Sequence, residues 1–201
     1  MSSITKNRTR IACIGDSITY GFGIVDTQHD SYPAVLQRLL GADYDVRGFG
    51  VNGATVMGNS LLPYSKSEEY VQSIEFFPDI VVIELGANDI MFLPDENFID
   101  DLKRLVESYL TDSVQVFICS LTPILHVRGL EDIESQNRHK KIQALIKQVA
   151  DDYALSLIDI WSPLNSAPDV VLQEDQIHPT KGGANIIARV VYETILEHPM
   201  K

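Results

Sequence analysis

The sequence of 201 residues has only two cysteines, one tryptophan and no long hydrophobic run. Cys13 and Cys119 lie within apolar segments, where a thiol behaves as a small hydrophobic side chain, so we expect two reduced cysteines in the core. The longest apolar stretch, from Ile80 to Leu85, is interrupted by Glu84 and is far shorter than the ~18 residues that a membrane helix needs. The sequence therefore predicts neither a disulfide-stabilised protein nor a membrane-spanning one.

Positively charged residues are also scarce. There are 16 Lys and Arg against 28 Asp and Glu, which leaves a net charge of −12. Such a field repels phosphate backbones and anionic lipids, so we expect no nucleic-acid partner. The first ten residues, MSSITKNRTR, include basic residues but no apolar segment of the kind found in a secretory signal. We therefore expect a cytoplasmic location.

The overall composition is that of an ordinary globular protein, with 45% hydrophobic and 22% charged residues. This balance excludes a disordered or collagen-like chain. Because a typical domain has ~150 residues, we expect residues 1–201 to form a single domain.

Short apolar runs alternate with amphipathic helical patterns along the whole chain. This alternation indicates a parallel sheet with helices on its faces. Helical spacing is clearest from Tyr32 to Gly41 and from Thr180 to Glu197. Five runs are predicted to be strands, namely Thr9–Ile14, Tyr44–Phe49, Ile80–Leu85, Val114–Leu121 and Leu155–Ile158.

Polar turns rich in small residues follow the first three predicted strands. They read GDSITYG from Gly15, GVNGAT from Gly50 and GAND from Gly86. Since the carboxyl ends of parallel strands meet at one edge of a sheet, we expect these turns to lie together. Ser17 in the first turn would be exposed there as a nucleophile, but such a turn also describes the phosphate-binding loop of a flavodoxin-like fold. This serine alone fits either function.

A carboxylate and an imidazole stand three residues apart near the end of the chain. Asp175 and His178 come directly before Pro179 and the final helix. A serine hydroxyl is a poor nucleophile and needs a base, which a neutral imidazole provides when a carboxylate orients it. An anion-binding loop has no use for this pair, so Asp175 and His178 favour an enzyme.

With these residues the chain resembles the SGNH hydrolases, also called the GDSL esterase/lipase superfamily, of the bacterial type. The four family blocks occur in the family's order and cover nearly the whole chain. The resemblance implies that Ser17 is the nucleophile, His178 the base and Asp175 the residue that orients it. It implies that no cofactor or metal takes part, and the sequence shows no HExxH motif or clustered Cys and His spacing.

The same resemblance implies an oxyanion hole. Its donors would be the backbone N–H groups of Ser17 and Gly53 and the side-chain amide of Asn88. Gly50 is the alternative within the second block, and Gly53 is preferred because a small residue and a threonine follow it.

We therefore expect a flavodoxin-like three-layer α/β/α sandwich on a five-stranded parallel sheet of order 2-1-3-4-5. We expect a serine esterase that hydrolyses short-chain acyl esters of small molecules through an acyl-enzyme. The blocks GDSITYG, GVNGATV and ELGAND look most like bacterial members that deacetylate carbohydrates. A lysophospholipase, a thioesterase or an acyltransferase would share the same catalytic residues. A noncatalytic anion-binding module is the alternative of another class. No oligomeric state is predicted.

Two segments do not fit the strand and helix pattern. Ser60–Phe77 and Thr122–Glu134 both follow strands, so they are either walls of a pocket or plain surface connections.

The remaining polar residues are assigned structural roles. Asp16 and Asp89 are expected to cap backbone N–H groups in tight turns. Glu84, within an apolar strand, is expected to have a partner or to lie at an exposed strand end. The histidines outside the four blocks are expected to face solvent, and they are His29, His126, His139 and His198.

Overall fold

A five-stranded parallel sheet forms the centre of the protein, in a computed structural model that describes residues 8–92, 96–127, 129–166 and 168–200. The strand order is β2-β1-β3-β4-β5, which confirms the predicted topology. The strands are β1 Thr9–Gly15, β2 Tyr44–Gly50, β3 Ile80–Glu84, β4 Gln115–Cys119 and β5 Ser156–Ile158.

The helices connect these strands and cover both faces of the sheet. They are α1 Ser17–Tyr20, α2 Thr27–Asp30, α3 Tyr32–Leu40, α4 Glu68–Glu75, α5 Glu96–Glu107, α6 Asp132–Asp152, α7 Trp161–Asn165, α8 Pro168–Val171 and α9 Lys181–Glu197. Two short 3-10 turns span Tyr64–Lys66 and Asn88–Met91.

The middle of the sheet is buried from both sides. All five residues of β3 are buried, and alternate side chains enter different apolar cores. Val81 and Ile83 pack with residues of α5 and α6, whereas Ile80 and Val82 pack with residues of α3 and α9. This arrangement gives the expected three layers and explains why β3 reads as a continuous apolar run. Cys13 and Cys119 are buried and unpaired, as predicted.

Local sequence signals account for the ends of the clearest helices. Thr180 caps α9 by accepting a hydrogen bond from the N–H of Gly183, and α3 begins after Ser31 and ends at Gly41. The first of the two unassigned segments, Ser60–Phe77, contains α4, and α6 begins within the second.

No helix of the described part of the chain is both long and apolar enough to cross a membrane. The first seven residues, on which the expected cytoplasmic location largely depends, lie outside the described residues. That location stays a prediction.

The turns after β1, β2 and β3 approach one another closely at the carboxyl edge of the sheet. A Cβ atom at Gly15 would lie 2.1 Å from Oγ1 of Thr19 and 2.3 Å from the carbonyl oxygen of Glu84. Glycine is therefore required at the end of β1, and it allows α1 to begin directly above the sheet edge.

Candidate active site

Ser17 is the first residue of α1, directly after β1. Asp16 caps this helix, with its Oδ1 accepting from the N–H of Ile18 at 2.9 Å, and Gly21 ends it in the left-handed conformation. The predicted capping role of Asp16 is thus confirmed. The backbone N–H of Ser17 lies in the first helical turn, where N–H groups lack intrahelical acceptors. Among the described residues this N–H has no protein acceptor, so it can donate to a bound anion.

The imidazole of His178 bridges Ser17 and Asp175. Its Nε2 lies 2.9 Å from Oγ of Ser17, and its Nδ1 lies 2.6 Å from Oδ2 of Asp175. A carboxylate can only accept, so Nδ1 carries the proton and Nε2 is left to accept from the serine hydroxyl. The structure brings together these three residues in the order that a nucleophile, its base and an orienting carboxylate require.

Asp175 is held as a carboxylate by its hydrogen bonds. Burial alone would raise its pKa, but bonds from the ring and backbone N–H of His178 and from the N–H of Ile177 lower that pKa below the usual 3.8. The two backbone donors reach Oδ1 at 3.0 Å each. A carboxylate facing His178 stabilises the imidazolium that forms when the base takes a proton.

Hydrogen bonds brace the loop that carries Asp175 and His178. Gln176 has a φ of 59°, and its carbonyl oxygen accepts from the N–H of Leu125 at 3.1 Å. Gln173 donates through its side chain to the carbonyl oxygens of Phe22 and Pro179, and through its backbone to that of His178. The base is thereby fixed relative to α1 and to the segment after β4.

Asn88 and Gly53 lie together on the neighbouring turns. Nδ2 of Asn88 donates to the carbonyl oxygen of Ala54 at 2.9 Å and lies 3.4 Å from Oδ2 of Asp16. Gly53 has a φ of +79°, and within the described residues its N–H donates to no protein acceptor. Gly50 instead packs against α1, since a Cβ there would lie 2.3 Å from the nitrogen of Tyr20. In the described part of the chain the N–H of Gly53 thus has no acceptor, whereas the amide of Asn88 has two, the weaker being Oδ2 of Asp16.

Asp89 fixes the turn after β2 through hydrogen bonds to its backbone. Its carboxylate accepts from the N–H groups of Val56 and Met57 at 2.9 and 3.0 Å, which confirms its predicted capping role. Burial raises the pKa of Asp89 to about 6, although these bonds oppose the rise. Burial likewise raises the pKa of Asp16 to about 7, with a further contribution from the charge of Asp89.

Glu84 lies in the same buried region, and of its two predicted alternatives, a partner or an exposed strand end, the structure shows the partner. It is fully buried at the end of β3, and its Oε2 accepts from Oγ1 of Thr19 at 3.5 Å. Its Oε1 has no partner among the described residues. Burial, together with the nearby Asp16, raises the pKa of Glu84 well above its usual value. Burial therefore favours the protonated form of this carboxyl group over the charged one.

His139 is also buried, which corrects the prediction that it faces solvent. It lies on the inner side of α6, three residues before the buried Ile142, and its Nε2 lies 2.9 Å from the carbonyl oxygen of Thr122. His139 stands three and seven residues before Ile142 and Ile146, and this helical spacing places all three on the buried side of α6. His29, His126 and His198 are exposed, as predicted.

Two further residues of the site, Phe22 and Leu62, lie outside the sequence motifs. Phe22 packs on the ring of His178 with the ring centroids 4.7 Å apart. Leu62 lies against Gly53, since a Cβ added at Gly53 would be 3.3 Å from Cδ1 of Leu62. Neither belongs to a motif, because only the loop conformations bring them to the site. Among the described residues, no cluster of three or more His, Cys, Asp or Glu side chains could hold a metal ion.

Comparison with known proteins gives a family match over most of the chain. The model of the GDSL-like lipase/acylhydrolase family matches residues 13–186, which include all the predicted site residues. An acetylxylan esterase of Xylanibacter ruminicola is 31% identical over 212 residues, covering 94% of this chain. The chain spans only 44% of the length of that esterase.

Solved structures resemble the whole fold. An aryl esterase of M. smegmatis superposes with a TM-score of 0.76 at 20% identity, covering 94% of this chain and 99% of its own. A carbohydrate acetylesterase family member of Sinorhizobium meliloti gives the same TM-score and identity, covering 94% and 98%. At this identity these structures establish the fold alone, and they agree with the predicted α/β sandwich.

Proposed function

The chain belongs to the GDSL-like lipase/acylhydrolase family, and we propose that it is a serine esterase that removes short acyl groups, above all acetyl groups, from carbohydrate esters. The observation that carries this proposal is the 2.9 Å contact between Oγ of Ser17 and Nε2 of His178, with Asp175 on the other ring nitrogen. The predicted family is confirmed by the family match, and hydrolysis of carboxylic esters is the activity that we propose for this site.

Ser17 would attack the ester carbonyl carbon. In that step the hydroxyl proton passes to Nε2 of His178, and the charge of Asp175 stabilises the imidazolium. The carbonyl oxygen becomes an oxyanion, which accepts hydrogen bonds from the N–H groups of Ser17 and Gly53 and from the amide of Asn88. Each such donor typically lowers the barrier by ~3 kcal/mol.

The tetrahedral intermediate then expels the alcohol. The leaving oxygen takes the proton from His178, and the acyl group stays on Ser17 as an ester. A water molecule next gives a proton to His178 and attacks the acyl-enzyme, and collapse of the second intermediate releases the acid and the free serine. Phe22 covers one part of the imidazole ring and limits its contact with solvent.

Two observations support a small acyl group. The 31% identical relative is an acetylxylan esterase by name, although the chain spans less than half of it. Leu62 lies against Gly53, so a bulky side chain stands beside the position proposed for the carbonyl oxygen. We further propose that residues 1–201 act as one domain, because both apolar cores share the single sheet.

The test is a series of p-nitrophenyl esters from acetate to palmitate, together with acetylated xylo-oligosaccharides whose released acetate is measured. We expect kcat/KM to be highest for acetate or butyrate, to fall gradually by octanoate, and to vanish in Ser17→Ala. A best rate with decanoate or palmitate would contradict the carbohydrate-ester proposal and favour a lipolytic enzyme. Formation of a new ester at the expense of free acid, when an alcohol is added, would assign acyl transfer instead.

A further inference from the structure

The molecule has a cleft whose lining includes none of the candidate active-site residues. It has a volume of about 450 Å³ and lies between the segment after β4, the first half of α6 and the start of α7. Like the catalytic residues, it is formed by segments that follow strands, and this edge of an open α/β sheet is where ligands bind. Its size falls within the ~300–1,000 Å³ of small-molecule sites.

The side chains that line this cleft combine apolar surface with amides. The apolar part is contributed by Pro123, Ile124, Leu125 and the indole of Trp161. Gln136, Gln143 and Asn165 add three amides, each of which can both donate and accept a hydrogen bond. Hydroxyl groups likewise both donate and accept, so this lining suits a ligand with an apolar face and a ring of hydroxyls.

The charge of the lining excludes a cationic ligand. The chain has a net charge of −12, yet none of the described residues that line the cleft is acidic. The lining instead includes one basic side chain, that of Lys140. His139 also lines it, and burial lowers the pKa of this imidazole, which therefore stays neutral. Since the carbonyl oxygen of Thr122 can only accept, Nε2 of His139 donates to it and Nδ1 is left as an acceptor.

A hydrogen bond joins the cleft to the catalytic loop. Leu125, which lines the cleft, donates through its backbone N–H to the carbonyl oxygen of Gln176, between Asp175 and His178. The alcohol of an ester must leave beside the imidazole, because His178 returns the proton to the leaving oxygen. The backbone of Leu125 thus joins the lining of the cleft to the loop that carries the proposed base, beside which the alcohol part of the substrate must lie.

We propose that this cleft binds a neutral pyranose ring of the alcohol part of the substrate, with the sugar packed on Trp161 and its hydroxyls bonded to Gln136, Gln143 and Asn165. The proposal rests on the esterase function proposed above and assigns the residues that recognise its sugar. An apolar acyl tail is the competing occupant, but the three amides and the lysine in the lining suit a ligand with hydroxyl groups better than a hydrocarbon chain.

The experiment uses the only tryptophan of the sequence, Trp161, as a fluorescent probe within the cleft. The full chain is titrated with xylotriose, which carries no ester and is not consumed. We expect a saturable change in Trp161 emission. Gln143→Ala and Asn165→Ala should each weaken the binding by about fivefold, the effect of one lost hydrogen bond. Gln148→Ala, on the exposed side of the same helix, is the matched control and should bind as the wild type does.

Three results would overturn the proposal. They are emission that stays flat up to the solubility limit of xylotriose, equal affinities for wild type and both cleft variants, and saturation by 1-octanol without any response to xylotriose. Thermal melting of each variant checks that it is folded. No ester is cleaved in this titration, so the two proposals can fail separately. An active esterase whose Trp161 emission does not respond to xylotriose would contradict only sugar binding in the cleft. An inactive protein that binds xylotriose would contradict only the esterase function.

A kinetic measurement gives a second, independent readout. We expect Trp161→Ala to lower the ratio of kcat/KM for acetylated xylotriose to kcat/KM for p-nitrophenyl acetate by about tenfold, since only the first substrate presents a sugar to the cleft. An unchanged ratio would contradict the assignment.

Discussion

Nδ2 of Asn88 lies 2.9 Å from the carbonyl oxygen of Ala54, so the turn after β3 is bonded to the turn after β2 directly beside Gly53. One amide hydrogen of Asn88 is used in this bond. The other points to Oδ2 of Asp16, which lies 3.4 Å from Nδ2. At that distance a hydrogen bond is weak. An oxyanion would be a stronger acceptor for the second hydrogen, which is the basis of the first prediction.

Asn88→Ala is expected to lower kcat by roughly 10²- to 10³-fold while KM changes little. An oxyanion donor binds the tetrahedral intermediate better than it binds the ground-state carbonyl, so its loss affects the chemical step. Steady-state kinetics with p-nitrophenyl acetate measure this, with circular dichroism to check the fold. A raised KM with an unchanged kcat would make Asn88 a substrate-positioning residue instead.

Leu62→Ala is expected to shift the preference toward longer acyl chains. Removing this side chain opens space beside Gly53, where we propose that the ester carbonyl binds, and each methylene that fits an apolar pocket adds ~1–3 kcal/mol. The ratio of kcat/KM for octanoate to kcat/KM for acetate should rise by about tenfold. Leu61→Ala, its neighbour and 93% exposed, is the control and should leave the ratio as it is. If the two variants behave alike, Leu62 does not limit the acyl pocket.

Glu84→Gln is expected to flatten the dependence of stability on pH. Burial and Asp16 raise the pKa of Glu84 above its usual 4.5, so the folded protein keeps a proton that the unfolded chain releases. The stabilising effect of that proton is fully present below pH 4.5 and is lost as the pH rises toward the folded pKa. Glutamine is uncharged at every pH and mimics the protonated acid.

Urea unfolding at pH 5.5 and pH 8 measures this effect. The wild type should lose stability over this interval, and Glu84→Gln should lose less and be the more stable of the two at pH 8. The exposed Glu75→Gln serves as the control, with the wild-type slope. A wild-type slope in Glu84→Gln would show that another group, such as Asp16, carries the pH dependence.

The sheet could be predicted from sequence because its strands are short apolar runs bounded by glycine or polar turns. All five lie within a few residues of their predicted positions, and their order follows from the family resemblance. The proposed catalytic residues could be located from the sequence because each follows a strand or precedes a helix in a local motif, as Asp175 and His178 do. The start of helix α6 at Asp132 is harder to predict. Its first turns are polar, so the apolar pattern marks only the later part of the helix.

Contacts between distant loops could not be predicted in this way. Leu62 reaches Gly53 because the N–H of Thr55 donates to the carbonyl oxygen of Leu62. No local sequence pattern predicts this pairing. His139 carries a polar ring whose burial depends on a single carbonyl partner, that of Thr122. Glu84 is tolerated in a buried strand since burial can keep it protonated, which composition alone does not reveal.

We propose that Ser17 is acylated with His178 as its base. Intact-protein mass spectrometry after treatment with an organophosphate tests it most directly, with digestion to locate the adduct. We expect one adduct per wild-type chain, on Ser17, a much slower reaction in His178→Ala, and unchanged labelling in Ser65→Ala, which alters an exposed serine. An adduct that forms equally well in a folded Ser17→Ala protein would contradict it.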